Sequence, residues 1–181
     1  TPLLSVIHYL GHLVTGATVP GQPGTVSPDP AKLRSIAAAP RPTTVHELQQ
    51  WHGLLSYYRR FVPHFSQKAA ALTHLLKKDV PWQWGTAQEQ AFEALRAGLL
   101  CEPILKLPDF DKPWLLETDF CVTGIGAVLS QEHDGLEHPV AYASRRCNKH
   151  EAQYAPTQGE LLAVVWAVEH FECYLYGNTF A

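Results

Sequence analysis

The stretch Trp114-Leu115-Leu116-Glu117-Thr118-Asp119-Phe120, followed after a short gap by Gly124-Ile125-Gly126-Ala127-Val128-Leu129-Ser130-Gln131, decides how this chain is read. It predicts a strand ending in an acidic residue, a glycine-marked bend and a second strand. Behind it, Pro139-Val140-Ala141-Tyr142-Ala143-Ser144-Arg145 predicts a third strand. Asp134-Gly135, lying between the second and third, is the dipeptide of a tight hairpin. The three strands are expected at about 113–118, 124–131 and 138–144. A carboxylate at the end of a central strand is a common place for a metal ligand. Asp119 is that carboxylate. Glu117, two residues earlier, shares its face by strand alternation and reads as a solvated strand residue.

After these strands, Thr157 to Tyr174 predicts the longest helix. Leu161, Leu162, Val164, Val165, Val168, Phe171 and Tyr174 would form a wide inward apolar face. Glu160 lies three residues after Thr157, so spacing alone favours a capping box. Upstream of the strands the pattern is helical. Asp29-Pro30 opens a short helix that Pro40 and Pro42 close. Thr44-Val45-His46-Glu47 is a capping box before apolar positions at three- and four-residue steps as far as Val62. Ala69 to Lys78 gives another helix, and Thr86-Ala87-Gln88-Glu89 a second capping box before Ala91, Phe92, Leu95 and Leu99. Val6 to Val14 is expected as a strand. Residues 16–30, rich in glycine and proline, are expected as loop, and residues 101–113 as a proline-bearing connector.

The chain has 181 residues, a formal net charge of -3 and a pI near 6.3. The totals reveal no basic face, so strong non-specific nucleic-acid binding is not indicated by them. Four widely spaced cysteines lack zinc-finger or redox spacing and predict reduced thiols in an intracellular protein. No apolar run is long enough to span a membrane. Thr1 stands where a methionine would, which suggests a piece of something longer.

Four blocks resemble the Pol polyprotein of gypsy-class LTR retrotransposons. The first is Tyr9-Leu10-Gly11-His12 with Ser27-Pro28-Asp29-Pro30-Ala31-Lys32, similar to the palm–thumb junction of reverse transcriptase. The second, Gly53-Leu54-Leu55-Ser56-Tyr57-Tyr58-Arg59-Arg60-Phe61-Val62-Pro63-His64-Phe65-Ser66, resembles a specific thumb signature. The third is Ala91-Phe92-Glu93-Ala94-Leu95 with Pro103-Ile104-Leu105 and Pro108-Asp109-Phe110. The fourth runs from Leu116-Glu117-Thr118-Asp119 to Gly177 and resembles the opening of a ribonuclease H domain.

The resemblance implies an α+β fold. A junction strand and loop (1–30), a helical thumb and connection segment (31–100) and a linker (101–113) would precede a C-terminally truncated RNase H-like domain (114–181). That domain would be a three-stranded antiparallel meander plus a long helix. The parent family polymerises DNA on an RNA template and hydrolyses RNA in RNA–DNA hybrids with two divalent metals, Mg2+ or Mn2+. Such ions sit ~3.5–4 Å apart and need several carboxylates. By resemblance Asp119 and Glu160 would be catalytic and metal-binding, which reverses the capping preference for Glu160. Tyr57, Arg59 and Arg60 would approach a template–primer or RNA–DNA hybrid. The alternative is that Tyr58 is core and the arginines a solvated helix end; both readings stay open. His46, His52, His64 and His74 show no metal spacing and read as surface or core residues, and Trp82 and Trp84 as packing.

Departures from the family pattern matter. The polymerase aspartates are absent. A small residue usually follows the first catalytic aspartate, where Phe120 and Cys121 stand here. Glu-Lys usually precedes the second carboxylate, where Gln158-Gly159 stand. The chain stops before the strand that usually carries the third carboxylate, and the fourth lies further on. The expectation is therefore a Pol-derived chain inactive by itself, the alternative being a host-domesticated remnant serving as a protein- or nucleic-acid-binding module. A first RNase H strand without its usual neighbour would be an apolar edge. Self-association or a protein partner is expected unless residues 179–181 or the N-terminal strand cover it.

Overall fold

The computed structural model describes residues 6–17, 22–101 and 104–181. Two sheets and two cores organise them. The N-terminal sheet has the order β1-β2-β3-β4, formed by Val6–Tyr9, His12–Thr15, Thr25–Pro28 and Leu105–Lys106. The expected single strand over Val6–Val14 is thus a hairpin. Its turn is Leu10-Gly11, both in the left-handed region at φ 46 and 72, where Gly11 meets no steric penalty. The expected loop over 16–30 contains β3. The expected connector contains β4, whose Leu105 pairs with Val26. Glu102-Pro103 of that connector, and residues 18–21 of the expected loop, lie outside the described residues.

The helices are α1 (Pro30–Ala38), α2 (Val45–Tyr57), α3 (Phe65–Lys68), α4 (Ala70–Leu75) and α5 (Thr86–Leu100). Asp29 caps α1, its carboxylate accepting from Ala31 N at 2.7 Å. Thr44 caps α2, but Glu47 bonds Thr43 rather than closing the box on Thr44. The second box is displaced by one residue. Gly85 is the N-cap of α5 and its N–H bonds the Gln88 side chain at 3.1 Å. Glu89 instead accepts from the Trp84 indole at 2.6 Å. Beyond α2, a 3-10 turn at Arg59–Phe61 replaces the expected helical continuation to Val62. Trp51, Leu55, Tyr58, Phe61, Leu72, Phe92, Leu95 and Leu99 fill this core together with Val26 and Leu105. Trp84 packs at its margin, as its aromatic character predicts.

The second half is an antiparallel meander, β5 (Leu115–Cys121), β6 (Gly124–His133) and β7 (Leu136–Arg146), in that spatial order. Asp134 and Gly135 take positive φ at the hairpin turn, as the dipeptide demands. Helix α6 (Pro156–His170) crosses the sheet, and α7 (Glu172–Leu175) follows it. The fold is thus α+β, with the three-stranded meander and helix that the resemblance implies.

The buried face of α6 differs in part from expectation, since Val168, Phe171 and Tyr174 do pack on the core. Gly159, Ala163 and Ala167 face the sheet. Leu161 and Val165 are 66% and 50% exposed, and Val164 is also exposed. Small residues let the helix lie close to the strands, so the larger ones turn outward. The open edge of β5 is partly covered. Trp114 bridges Phe180 in parallel, with N–H donations from Trp114 to Thr179, from Leu116 to Ala181 and from Ala181 to Trp114. The N-terminal strand does not reach it. Among the described residues, no helix is long and apolar enough to cross a membrane.

The halves meet along β7. Ser66 at the start of α3 donates its N–H to Ser144 Oγ at 2.9 Å, and its hydroxyl to the Ser144 carbonyl at 2.9 Å. Arg146 reaches Thr73 at 3.0 Å, and Tyr142 packs against the helical core.

Candidate functional site

Strand alternation decides what Asp119 can do. On β5, Leu116 packs into the α6-side core, and Phe120 lies directly under Gly159 of α6. Asp119 therefore points to the other face. There it meets His64, whose Nδ1 is 3.7 Å from the Asp119 carboxylate. His64 takes left-handed backbone at φ 52 and lays its ring over Gly126, the cross-strand partner of Asp119. A side chain at 126 would collide with that ring at 2.7 Å. A pocket of about 250 Å3 lined by His64, Glu117, Thr118, Asp119 and Gly126 lies at this point. Asp119 is 58% exposed.

Glu160 rises from the first turns of α6 and is exposed. It does not cap the helix. Ala155 is the N-cap, Pro156 the first helical residue, and Gln158 Oε1 accepts from Ala155 N at 3.2 Å. Asp119 thus leaves the face of β5 that is turned away from α6, the helix on which Glu160 is exposed. Among the described residues no group of three or more His, Cys, Asp or Glu is placed to hold a metal. Phe120 and Gly159 form one feature: a Cβ at 159 would lie 2.2 Å from the Phe120 ring. The aromatic at 120 fits because residue 159 has no side chain.

The remaining candidates separate. Tyr57 donates its hydroxyl to the Leu10 carbonyl, at the β1–β2 turn. Tyr58 is buried and bonds Gly11 O at 2.9 Å, the core role open to it from sequence. Arg59 crosses to β7 and donates to the Ser144 carbonyl. Arg60 lies beside it, half-buried, over the Phe61 ring. Neither the placing of His64 over Gly126 nor, at a separate pocket, that of Trp166 beside His170 was legible. The signals were present, in Pro63-His64 of the thumb-like block and in the helix of the fourth block, but contact between blocks is a tertiary fact.

Electrostatics bear on the same seam. Burial, then the Arg59 charge, lowers the pKa of His170, and the same two causes lower that of His52. Arg145 forms a two-pronged ion pair with Glu151 at 2.7 and 3.0 Å. The hydrogen bond from Arg145, then the Asn148 N–H, holds the Glu151 carboxyl below its ordinary value.

Residues 84–181, more than half of the chain, match the family described as the RNase H-like domain found in reverse transcriptase. The chain belongs to that family. The match begins inside the helical half, just before α5. The RNase H-like chain is similar to the retrovirus-related Pol polyprotein from transposon 297 of Drosophila melanogaster, with 39% identity over 174 residues. That alignment covers 96% of this chain and 15% of the polyprotein. The Pol polyprotein from transposon gypsy of the same organism is 39% identical over 184 residues, covering 95% of this chain and 17% of its own length. The transposon Tf2-3 polyprotein of Schizosaccharomyces pombe is 40% identical over 136 residues, 75% of this chain and 10% of the polyprotein. The chain thus spans less than a fifth of these relatives. It reads as a piece of a retrotransposon Pol polyprotein, from the reverse transcriptase and RNase H-like region.

Two solved structures show the same fold. A foamy viral protease-reverse transcriptase dRH in complex with ds DNA superposes with a TM-score of 0.78 at 20% identity, covering 97% of this chain and 30% of that one. A foamy viral protease-reverse transcriptase in complex with RNA/DNA hybrid gives 0.76 at 20% identity, covering 97% and 23%.

Proposed function

We propose that this chain is the part of a Pol polyprotein that holds an RNA–DNA hybrid between the polymerase region and the RNase H-like domain, and that it does not hydrolyse the RNA by itself. Binding of the hybrid is supported by the likeness to a reverse transcriptase solved with one. The single observation that carries the lack of hydrolysis is that Asp119 turns to the face of β5 away from α6, the helix that bears Glu160. Two closely spaced divalent ions need several carboxylates turned toward one point. Asp119 has His64 before it, and Phe120 occupies the α6 side. The residues of this chain do not fit an Mg2+ or Mn2+ pair, so no step is routed through metal. The relatives are transposon polyproteins, which does not favour the domesticated-remnant alternative.

Fluorescence anisotropy with a labelled RNA–DNA hybrid, alongside a cleavage assay in magnesium and in manganese, tests both halves. Saturable binding without cleavage is expected. Failure to bind the hybrid overturns the first half. Metal-dependent cleavage that disappears in Asp119→Asn overturns the second.

A further inference from the structure

The helical half and the RNase H-like sheet are joined covalently by one short segment, residues 107–114, between β4 and β5. Two side chains near the end of β6 hold that segment. Gln131 is fully buried and treats it as a strand: its amide accepts from Asp109 N at 2.9 Å and donates to the Asp109 carbonyl at 2.7 Å. A neutral amide has no proton to gain or lose in mild acid, so this hold is permanent. His133, two residues on and on the same face, holds the segment differently. It is 2% exposed, and its Nδ1 lies 2.9 Å from the Lys112 ammonium, which also donates to the Glu132 carbonyl at 3.3 Å. An ammonium is a donor only, so Nδ1 must keep its lone pair and the ring must be neutral. The one ring proton is then on Nε2, which is buried and has no partner among the described residues. The surroundings are mostly positive. His138 of β7 has its ring 6.1 Å away, and Lys106 of β4 adds a further charge. Asp109 is the one carboxylate that favours a proton on the ring, and it is outweighed. Of the chain neighbours, Glu132 is exposed, and Asp134 accepts from Gln22 at 2.7 Å. Burial, then the Lys112 charge, holds the His133 pKa below its ordinary value.

We infer that the contact between His133 and Lys112 is a pH-sensitive latch, which fastens residues 111–113 to the β6–β7 hairpin at neutral pH and releases them in mild acid. A proton on Nδ1 removes the acceptor and sets two cations 2.9 Å apart, an arrangement that like-charge repulsion disfavours. Lys112 is half-exposed, so its ammonium can swing into water, where it is strongly hydrated. Its bond to the Glu132 carbonyl is then lost as well. Gln131 keeps Asp109 in place, and the release is confined to the stretch beyond it. That stretch leads into Trp114, whose backbone pairs with Thr179 and Ala181 beside β5. Release therefore loosens the entry to the RNase H-like sheet and leaves the helical half unchanged. The folded chain binds this proton less readily than the unfolded chain. The stabilising contribution of the latch is accordingly whole above the ordinary histidine value, about 6.5, and is lost as pH falls through the lower folded value. The latch does not depend on hybrid binding.

The test is a titration of the full chain by NMR across the range in which histidines gain their proton, about pH 8 to pH 5. The His133 Cε1–H resonance reports its protonation, and the backbone amides of Asp109 and Lys112 report the two attachments. The expected result is a His133 midpoint below that of an ordinary histidine. The Lys112 amide should shift at that same midpoint, and the Asp109 amide should show no step there. In Lys112→Ala the His133 midpoint should rise toward the ordinary value, and in His133→Gln the Lys112 response should be lost. A purely structural contact would leave both pH responses absent. A Lys112 amide that does not follow His133, a His133 midpoint at or above the ordinary value, or one that Lys112→Ala leaves unmoved overturns the latch. The wild-type titration decides the matter even where His133→Gln folds poorly.

Discussion

The two halves of the molecule hold together differently. The helical half buries large side chains: Trp51, Tyr58, Phe61 and Phe92 beside leucines at 48, 55, 72, 95 and 99. The RNase H-like half buries Ala127, Ala141, Ala143, Ala163 and Ala167 around Trp114, Leu129 and Phe171, while Leu161, Val164 and Val165 face outward. Burial of apolar area scales with side-chain size, so the first half is the deeper store of stability. The second depends on close approach of helix to sheet, where each added atom is a collision. Large side chains make a core tolerant of sliding and intolerant of deletion. Small ones make the opposite.

The sharpest way to break this comparison is deletion in the first core. Phe92→Ala is expected to cost about 3–5 kcal/mol in a denaturant titration, since Phe92 is buried and its ring lies 4.5 Å from that of Trp51. A loss below about 1 kcal/mol would mean that the large residues are not carrying the helical half.

Insertion in the second half is the converse. Gly159→Val places atoms where the Phe120 ring sits, and a loss of about 3 kcal/mol is expected, near the top of the overpacking range. Phe120→Ala should recover most of it. A loss in the double variant equal to the sum of the two single losses would show that the two positions are not coupled.

The seam comes next. Ser144→Ala removes the acceptor of the Ser66 N–H, in a buried contact. It should cost on the order of 2 kcal/mol. Thermal melts in which the halves separate into two transitions would sharpen the comparison further, by showing that this contact makes them cooperative.

The smallest effect is a matter of pH. Arg145 lowers the Glu151 pKa in the folded chain. Its stabilising contribution is therefore full above the unfolded carboxyl value, near pH 4.3, and is lost as pH falls through the lower folded value. Glu151→Gln should flatten the acid limb of the stability curve between about pH 5 and pH 3, by no more than about 1 kcal/mol. An unchanged limb would remove the pair from the comparison.

Much of the fold was legible because local signals agreed. Alternation and Asp134-Gly135 predict the meander, and three-four spacing predicts α2 and α5. What escaped is what periodicity cannot carry. β4 is two residues long between prolines, and β3 ends in Pro28, so neither has an alternation to read. Their pairing is made only across the whole helical segment. The face of α6 was assigned only in part: Val168, Phe171 and Tyr174 pack on the core as expected, but Leu161, Val164 and Val165 turn outward because the sheet selects Gly159, Ala163 and Ala167. At the site, the chemistry of Asp119 was visible but its direction was not. A one-residue difference in facing sends a strand residue to the opposite side, and nothing local shows that His64 waits there.

The short pairing of Val26 with Leu105 also bears on when the molecule can form. Joining points so far apart along the chain costs on the order of 4 kcal/mol of loop-closure entropy, and two paired residues return little of it. The helices between them must already be packed before the pairing gains. Distant contacts of this kind slow folding. The N-terminal hairpin, which hangs on β3, would then be among the last parts to settle. On a ribosome it would wait, incomplete, until the segment holding Leu105 had left the exit tunnel.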